Sequence, residues 1–75
     1  MTFEEKIKDI IKYYNLGNFL KAESIAKSLL TRKAQDYQLC NIYGLILLKL
    51  DKTEGAISYF QKSINIKSDF IWIDF

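Results

Sequence analysis

The chain has 75 residues, with eleven Lys and Arg against nine Asp and Glu, 49% hydrophobic side chains, one Cys, no His and no Pro. At this size a globular chain buries only about 60% of its unfolded surface, and neither a disulfide framework nor a histidine-containing metal site is present to reinforce it. A formal charge of +2, with the basic residues scattered among acids, excludes the concentrated basic footprint of a nucleic-acid binder. The longest aliphatic run, Leu45 to Leu48, is cut by Lys49 and falls far short of a membrane span. The opening MTFEEKIKDIIK has a helical pattern and no signal-peptide core, so a reduced, cytoplasmic compartment is expected.

Helical periodicity sets in at once. Ile7, Ile10, Ile11 and Tyr14 share one face at the i, i+3, i+4, i+7 spacing. Thr2 followed by Glu5 has the form of a capping box, so the first helix begins almost at Met1. It ends near Asn15 to Leu16, where Gly17 can take the left-handed conformation that closes a helix. A second helix is expected from about Asn18 to Arg32, with Ile25, Ala26, Leu29 and Leu30 on its inner face. A third runs from near Asp36 to near Leu50, although a kinked, nearly continuous helix through residues 32–36 is an alternative, since no proline stands there. Asp51 with Glu54 predicts a second reciprocal cap at the start of a fourth helix, in which Ile57, Phe60 and Ile64 fall on one face. Short connections make consecutive helices antiparallel, and the class is all-α.

The chain also repeats itself. Tyr13 and Leu47, Gly17 and Asp51, Phe19 and Thr53, Ala22 and Ala56, Ile25 and Tyr59, and Ala26 and Phe60 are all separated by one and the same offset. With Gly44 as the small residue of a first helix, and Ala56 and Phe60 as the A-x3-F of a second, the pattern resembles the tetratricopeptide repeat, whose period of about 34 residues matches that offset. The resemblance implies an α-α superhelix of antiparallel hairpins forming a single domain over residues 1–75, with repeats at 3–36 and 37–70 and a partial third at 71–75. Small residues at Gly44, Ala22 and Ala56 let paired helices approach to about 8–10 Å; a bulky residue at Ala56 would overpack the crossing at a cost of about 1–3 kcal/mol.

Departures from the family pattern are informative. Where the family has tryptophan and leucine in the first helix, the first copy has Lys6 and Asp9 and the second has Cys40 and Tyr43. A polar pair suits an end unit, which has no preceding repeat to bury its outer face. Residues 70–75, by contrast, are apolar except for Asp74. Such a patch is expected to be covered by further chain, by self-association through this C-terminal hydrophobic end, or by docking onto the fourth helix.

Reactive chemistry is sparse. Glu4 and Glu5 fall in the first turn of a helix, where the macrodipole favours negative charge. Cys40 has no histidine to act as its base, and the glycines form no phosphate cradle. No catalytic, cofactor-binding or metal-binding residue is expected, and the chain is not expected to be an enzyme. The family resemblance instead implies a concave groove lined by the first helix of each unit. Carried over, that groove comprises Glu4, Ile7, Lys8, Ile11, Tyr14 and Asn15, with Gln38, Asn41, Ile42, Leu45, Leu48 and Lys49. An apolar middle with polar edges has the composition of a peptide-binding strip; the same aliphatics would also serve simply to pack helix one on helix three. Ile7 and Ile11 stand where a carboxylate-clamping variant of the family has lysine and asparagine, which disfavours terminal carboxylates as ligands. The expected function is a scaffold for a protein or peptide partner, without nucleic acid or membrane. The alternative is an N-terminal repeat segment of a larger enzyme, such as a transferase, that positions substrate or mediates oligomerisation.

Overall fold

The computed structural model describes the backbone of residues 2–71 and the side chains of residues 2–67. Four helices follow one another: α1 (Phe3–Asn15), α2 (Phe19–Leu30), α3 (Tyr37–Lys49) and α4 (Thr53–Ile71). No strand occurs among the described residues. The fold is all-α, and consecutive helices pack directly: α1 on α2, α2 on α3, and α3 on α4.

Local chemistry sets the helix starts. Thr2 and Glu5 form the capping box, the Glu5 amide donating to Thr2 Oγ1 at 3.2 Å and the Thr2 amide donating to Glu5 Oε1 at 3.3 Å. Asn18 Oδ1 accepts from the Lys21 amide at 3.3 Å and Asp36 Oδ1 from the Leu39 amide at 2.9 Å, so α2 and α3 also begin on side-chain caps. Each satisfies an amide that has no partner inside its helix, a contribution of about 1 kcal/mol.

The ends of α1 and α3 are copies of one another. Asn18 donates to the Tyr13 carbonyl at 2.9 Å and Gly17 to Tyr14 at 3.1 Å; one repeat later Lys52 donates to Leu47 at 2.8 Å and Asp51 to Leu48 at 3.1 Å. This is the six-to-one and five-to-two bonding of a Schellman motif, which needs a left-handed residue at its turn. Gly17 supplies it at φ +81° and Asp51 at φ +64°. The expected cap at the start of α4 is therefore corrected: Asp51 closes α3 instead of opening α4. The Lys52 carbonyl accepts from Ala56, which makes Lys52 the capping position and leaves Asp51 and Glu54 one place out of register for a reciprocal pair.

Residues 31–35 leave the helix, so α2 and α3 are separate rather than one kinked rod. Thr31 Oγ1 donates to the Ser28 carbonyl at 2.7 Å and the Lys33 amide to Leu29, which satisfies carbonyls at the end of α2 without a proline. The expected partial repeat at 71–75, and with it the apolar end at 70–75, lies outside the described side chains.

One core runs through all four helices: Ile7 and Ile10 from α1, Ala22, Ala26 and Leu29 from α2, Leu39, Tyr43, Ile46 and Leu47 from α3, and Ala56 from α4. Ala22 and Ala56 are both fully buried, as crossing residues should be. At Gly44 the approach is closest: a Cβ there would lie 2.7 Å from Phe60 Cε1 and 2.8 Å from Cδ1. The Tyr43 ring meets Tyr59 edge-on at 4.7 Å between centroids, a second tie between α3 and α4.

Candidate functional site

Alternate sides of α1 and α3 do different work. Their inner sides hold the core, and the sides turned away from α2 and α4 border a shared trough. One end of it is an apolar hollow of about 220 Å³ lined by Ile11, Tyr14 and Asn15 from α1 with Ile42 and Leu45 from α3. Toward the start of α1 a second hollow, of about 240 Å³, is lined by Phe3, Glu4, Ile7, Lys8 and Gln38.

The sequence-derived groove residues divide into three groups. Ile11, Tyr14, Asn15, Ile42 and Leu45 come together in the apolar hollow, and Glu4, Ile7, Lys8 and Gln38 in the mixed one. Asn41 instead faces the other side of α3, where with Tyr37, Gln38, Ser63, Ile64 and Lys67 it lines a separate recess between α3 and α4. Leu48 and Lys49 are exposed and border neither trough hollow. Phe3 enters the mixed hollow although the family pattern does not assign it there; its signal was its place in the first turn of α1, one turn before Ile7.

Burial separates packing from availability along the trough. Ile7 is buried and belongs to the core, whereas Ile11 keeps 42% and Leu45 39% of its surface exposed. Tyr14 is half-buried and held by an edge-on contact with Phe19 at 5.4 Å between centroids, so its ring is oriented before anything binds. Exposed aliphatics beside a fixed aromatic ring leave a concave apolar strip, with polar groups at Asn15 on one end and Glu4, Lys8 and Gln38 on the other.

Volume limits what such a strip can hold. Cavities for drug-sized ligands and cofactors run to about 300–1,000 Å³. Hollows of about 220 and 240 Å³ are smaller and suit single side chains of a longer ligand. A wider recess, of about 550 Å³, is made by the 32–36 turn alone and has no buried side chain in its wall.

Reactive groups lie elsewhere. Cys40 is fully buried, its Sγ 3.6 Å from the Ala34 carbonyl oxygen. Burial pushes its thiol up from the usual value, with Lys62 opposing and Asp36 adding to the rise, which suppresses the thiolate. Burial also raises the Tyr43 phenol, and the nearby Glu23 carboxylate adds to the effect. Among the described residues no group of three His, Cys, Asp or Glu could hold a metal ion, and no helix is long and apolar enough to cross a membrane.

Two contacts that the sequence reading did not single out recur at the repeat offset. Lys33 Nζ lies 5.3 Å from the centre of the Phe3 ring, and Lys67 Nζ lies 5.6 Å from that of Tyr37. Tyr37 and Lys67 stand one repeat offset after Phe3 and Lys33, so a lysine in the turn after α2 is clasped to the start of α1, and a lysine near the end of α4 to the start of α3. Ser63 strengthens the later clasp by donating to the Tyr37 carbonyl at 2.7 Å.

Residues 37–70 match the family model described as Tetratricopeptide repeat. Comparison with curated proteins and with solved structures returned no match.

Proposed function

We propose that residues 37–70, which match the tetratricopeptide repeat, form with residues 3–36 as a preceding unit an interaction module that takes a peptide segment of a protein partner in the α1–α3 trough. One observation carries this reading: Ile11, Tyr14, Ile42 and Leu45 converge on one apolar hollow while remaining partly open to solvent. A partner segment places a branched aliphatic or aromatic side chain there, and polar groups at the following positions meet Glu4, Lys8 and Gln38. The nearby polar residues give orientation more than affinity, because exposed charge pairs contribute little.

The expected energies are modest. Completing the burial of a Leu or Ile already about three-fifths covered contributes about 1 kcal/mol, taking about 1.5–3 kcal/mol for the whole side chain. Leu45→Ala and Ile11→Ala should therefore each weaken binding about fivefold. Tyr14→Ala, which removes an aromatic anchor held in place beforehand, should weaken it more.

Random peptides selected by display against the chain provide ligands for this measurement. Selected sequences should share an apolar anchor and lose affinity to the Leu45 and Tyr14 variants, read by fluorescence anisotropy. Selection of peptides whose affinity ignores both variants, or no selection above background, would refute the trough as the binding surface.

A further inference from the structure

Folding gathers cations that are dispersed along the sequence. Lys6, Arg32 and Lys33 converge on a recess of about 140 Å³ between the start of α1 and the end of α2, with Phe3 and Leu29 as its apolar walls. At the other end of the same helix pair, Lys12 and Lys21 each place Nζ 5.8 Å from the centre of the Tyr13 ring. Lys6 and Tyr13 lie two turns apart on one stripe of α1, so the two groups of cations are separated by about 10 Å along the α1–α2 seam.

Among the described residues these charges have no carboxylate partner. The ion pair found there joins Lys52 to Glu23 at 2.9 Å, away from the seam. Glu5, beside Lys6, is engaged with Thr2, and Asp36, beside the turn, accepts from the Leu39 amide at 2.9 Å. Lys33 rests over Phe3 as Lys12 and Lys21 rest over Tyr13, and a ring face orients an ammonium group without cancelling its charge. Asp9, half-buried one turn from Lys6 and one turn from Tyr13, is the acid that lies between the two groups.

We infer that this seam docks an acidic segment of a protein partner, one that presents two sets of carboxylates about 10 Å apart with an uncharged stretch between them. Carboxylates at one end meet Lys6, Arg32 and Lys33, where the guanidinium offers the paired donors that fit a carboxylate. Those at the other end meet Lys12 and Lys21. The Asp9 carboxylate repels negative charge brought to the middle, which selects a gapped acidic segment against an evenly charged surface such as a nucleic-acid strand or an anionic bilayer. The seam lies across α1 from the peptide trough and shares only Phe3 with its hollows, so either surface can fail without the other.

Fluorescence anisotropy of a labelled Glu-Glu-Pro-Pro-Glu-Glu peptide, titrated with the chain at low ionic strength, tests the docking. Its polyproline centre places the flanking glutamates on one side about 9 Å apart. Binding should weaken about fivefold in Lys6→Gln/Arg32→Gln and in Lys12→Gln/Lys21→Gln, the sum of two exposed charge pairs each time. It should weaken again when salt shortens the screening length to about 8 Å. Lys27→Gln, about 120° round α2 from Lys21, should leave binding unchanged. Wild type should prefer this peptide to Pro-Pro-Glu-Glu-Glu-Glu by about threefold, the size of one exposed charge interaction, and Asp9→Asn should abolish the preference. No binding by wild type overturns the inference, as does a loss no larger in the seam variants than in Lys27→Gln. Tighter binding to phosphatidylserine vesicles or to a single-stranded oligonucleotide, lost in the same variants, would give the seam to another partner and overturn it equally.

Discussion

Gly44 offers the most stringent test of the packing, because two principles pull its replacement in opposite directions. It lies inside α3, where alanine is favoured over glycine by about 1 kcal/mol on helix propensity. An alanine Cβ, however, would lie 2.7, 2.8 and 3.1 Å from three carbons of the Phe60 ring, distances that force the ring or the helices to move. Overpacking of this kind costs about 1–3 kcal/mol, so Gly44→Ala should destabilise the chain by about 1 kcal/mol net. For a domain this small that is a fall in Tm of about 4–8 °C. Phe60→Val removes every ring carbon that the new methyl group meets, and in that background the same Gly44→Ala change should be stabilising by about 1 kcal/mol. The coupling between the two sites is then about 2 kcal/mol, well above the scatter expected of independent positions. Thermal and urea unfolding of the four proteins of this cycle measure it, with trimethylamine N-oxide added to keep the weakest variant folded. A rise in Tm on Gly44→Ala in the parent, equal to that in Phe60→Val, would refute the close approach of α3 to α4 at this point.

Two further perturbations follow from the structure. Asp51→Gly should stabilise the chain by about 1 kcal/mol by relieving a left-handed conformation at a residue with a Cβ, whereas Gly17→Ala should destabilise it by a similar amount; equal effects of one sign in urea unfolding would contradict the matched helix ends. Above pH 9 stability should decline: Cys40 and Tyr43 hold their protons more tightly in the fold than their ordinary values near 9.0 and 10.0, so their contribution is complete below those values and is lost as pH rises through the folded ones. Tyr43→Phe should reduce the part of the decline above pH 10, and an unchanged profile would show that burial does not hold the phenol neutral.

Periodicity and spacing made the helices legible, because amphipathic stripes and caps are local properties of the chain. Thr2 with Glu5, and Gly17 after Asn15, specify the limits of α1 without any tertiary contact. The repeat offset was equally plain, and it holds down to individual bonds at Gly17 and Asp51. Asp51 was misread for an identifiable reason: aspartate is both a good cap and one of the few residues with a Cβ that tolerate the left-handed region, and the preceding helix decided between them. The trough was legible in part. Ile11, Tyr14 and Leu45 share a helical face by spacing alone, but Asn41 points across α3 to a different recess, since a residue midway round a helix can serve either side and only the neighbouring helices determine which. The clasps of Lys33 on Phe3 and Lys67 on Tyr37 join opposite ends of a helical hairpin, beyond the reach of helical spacing, although their recurrence at the repeat offset was a signal.

Amide chemical shifts recorded while a display-selected peptide is titrated into isotopically labelled chain test the role of the trough most directly. Changes concentrated at Ile11, Tyr14 and Asn15 in α1 and at Ile42 and Leu45 in α3, with α2 unmoved, are the predicted result. Changes confined to α2 or to the outer face of α4 would contradict it.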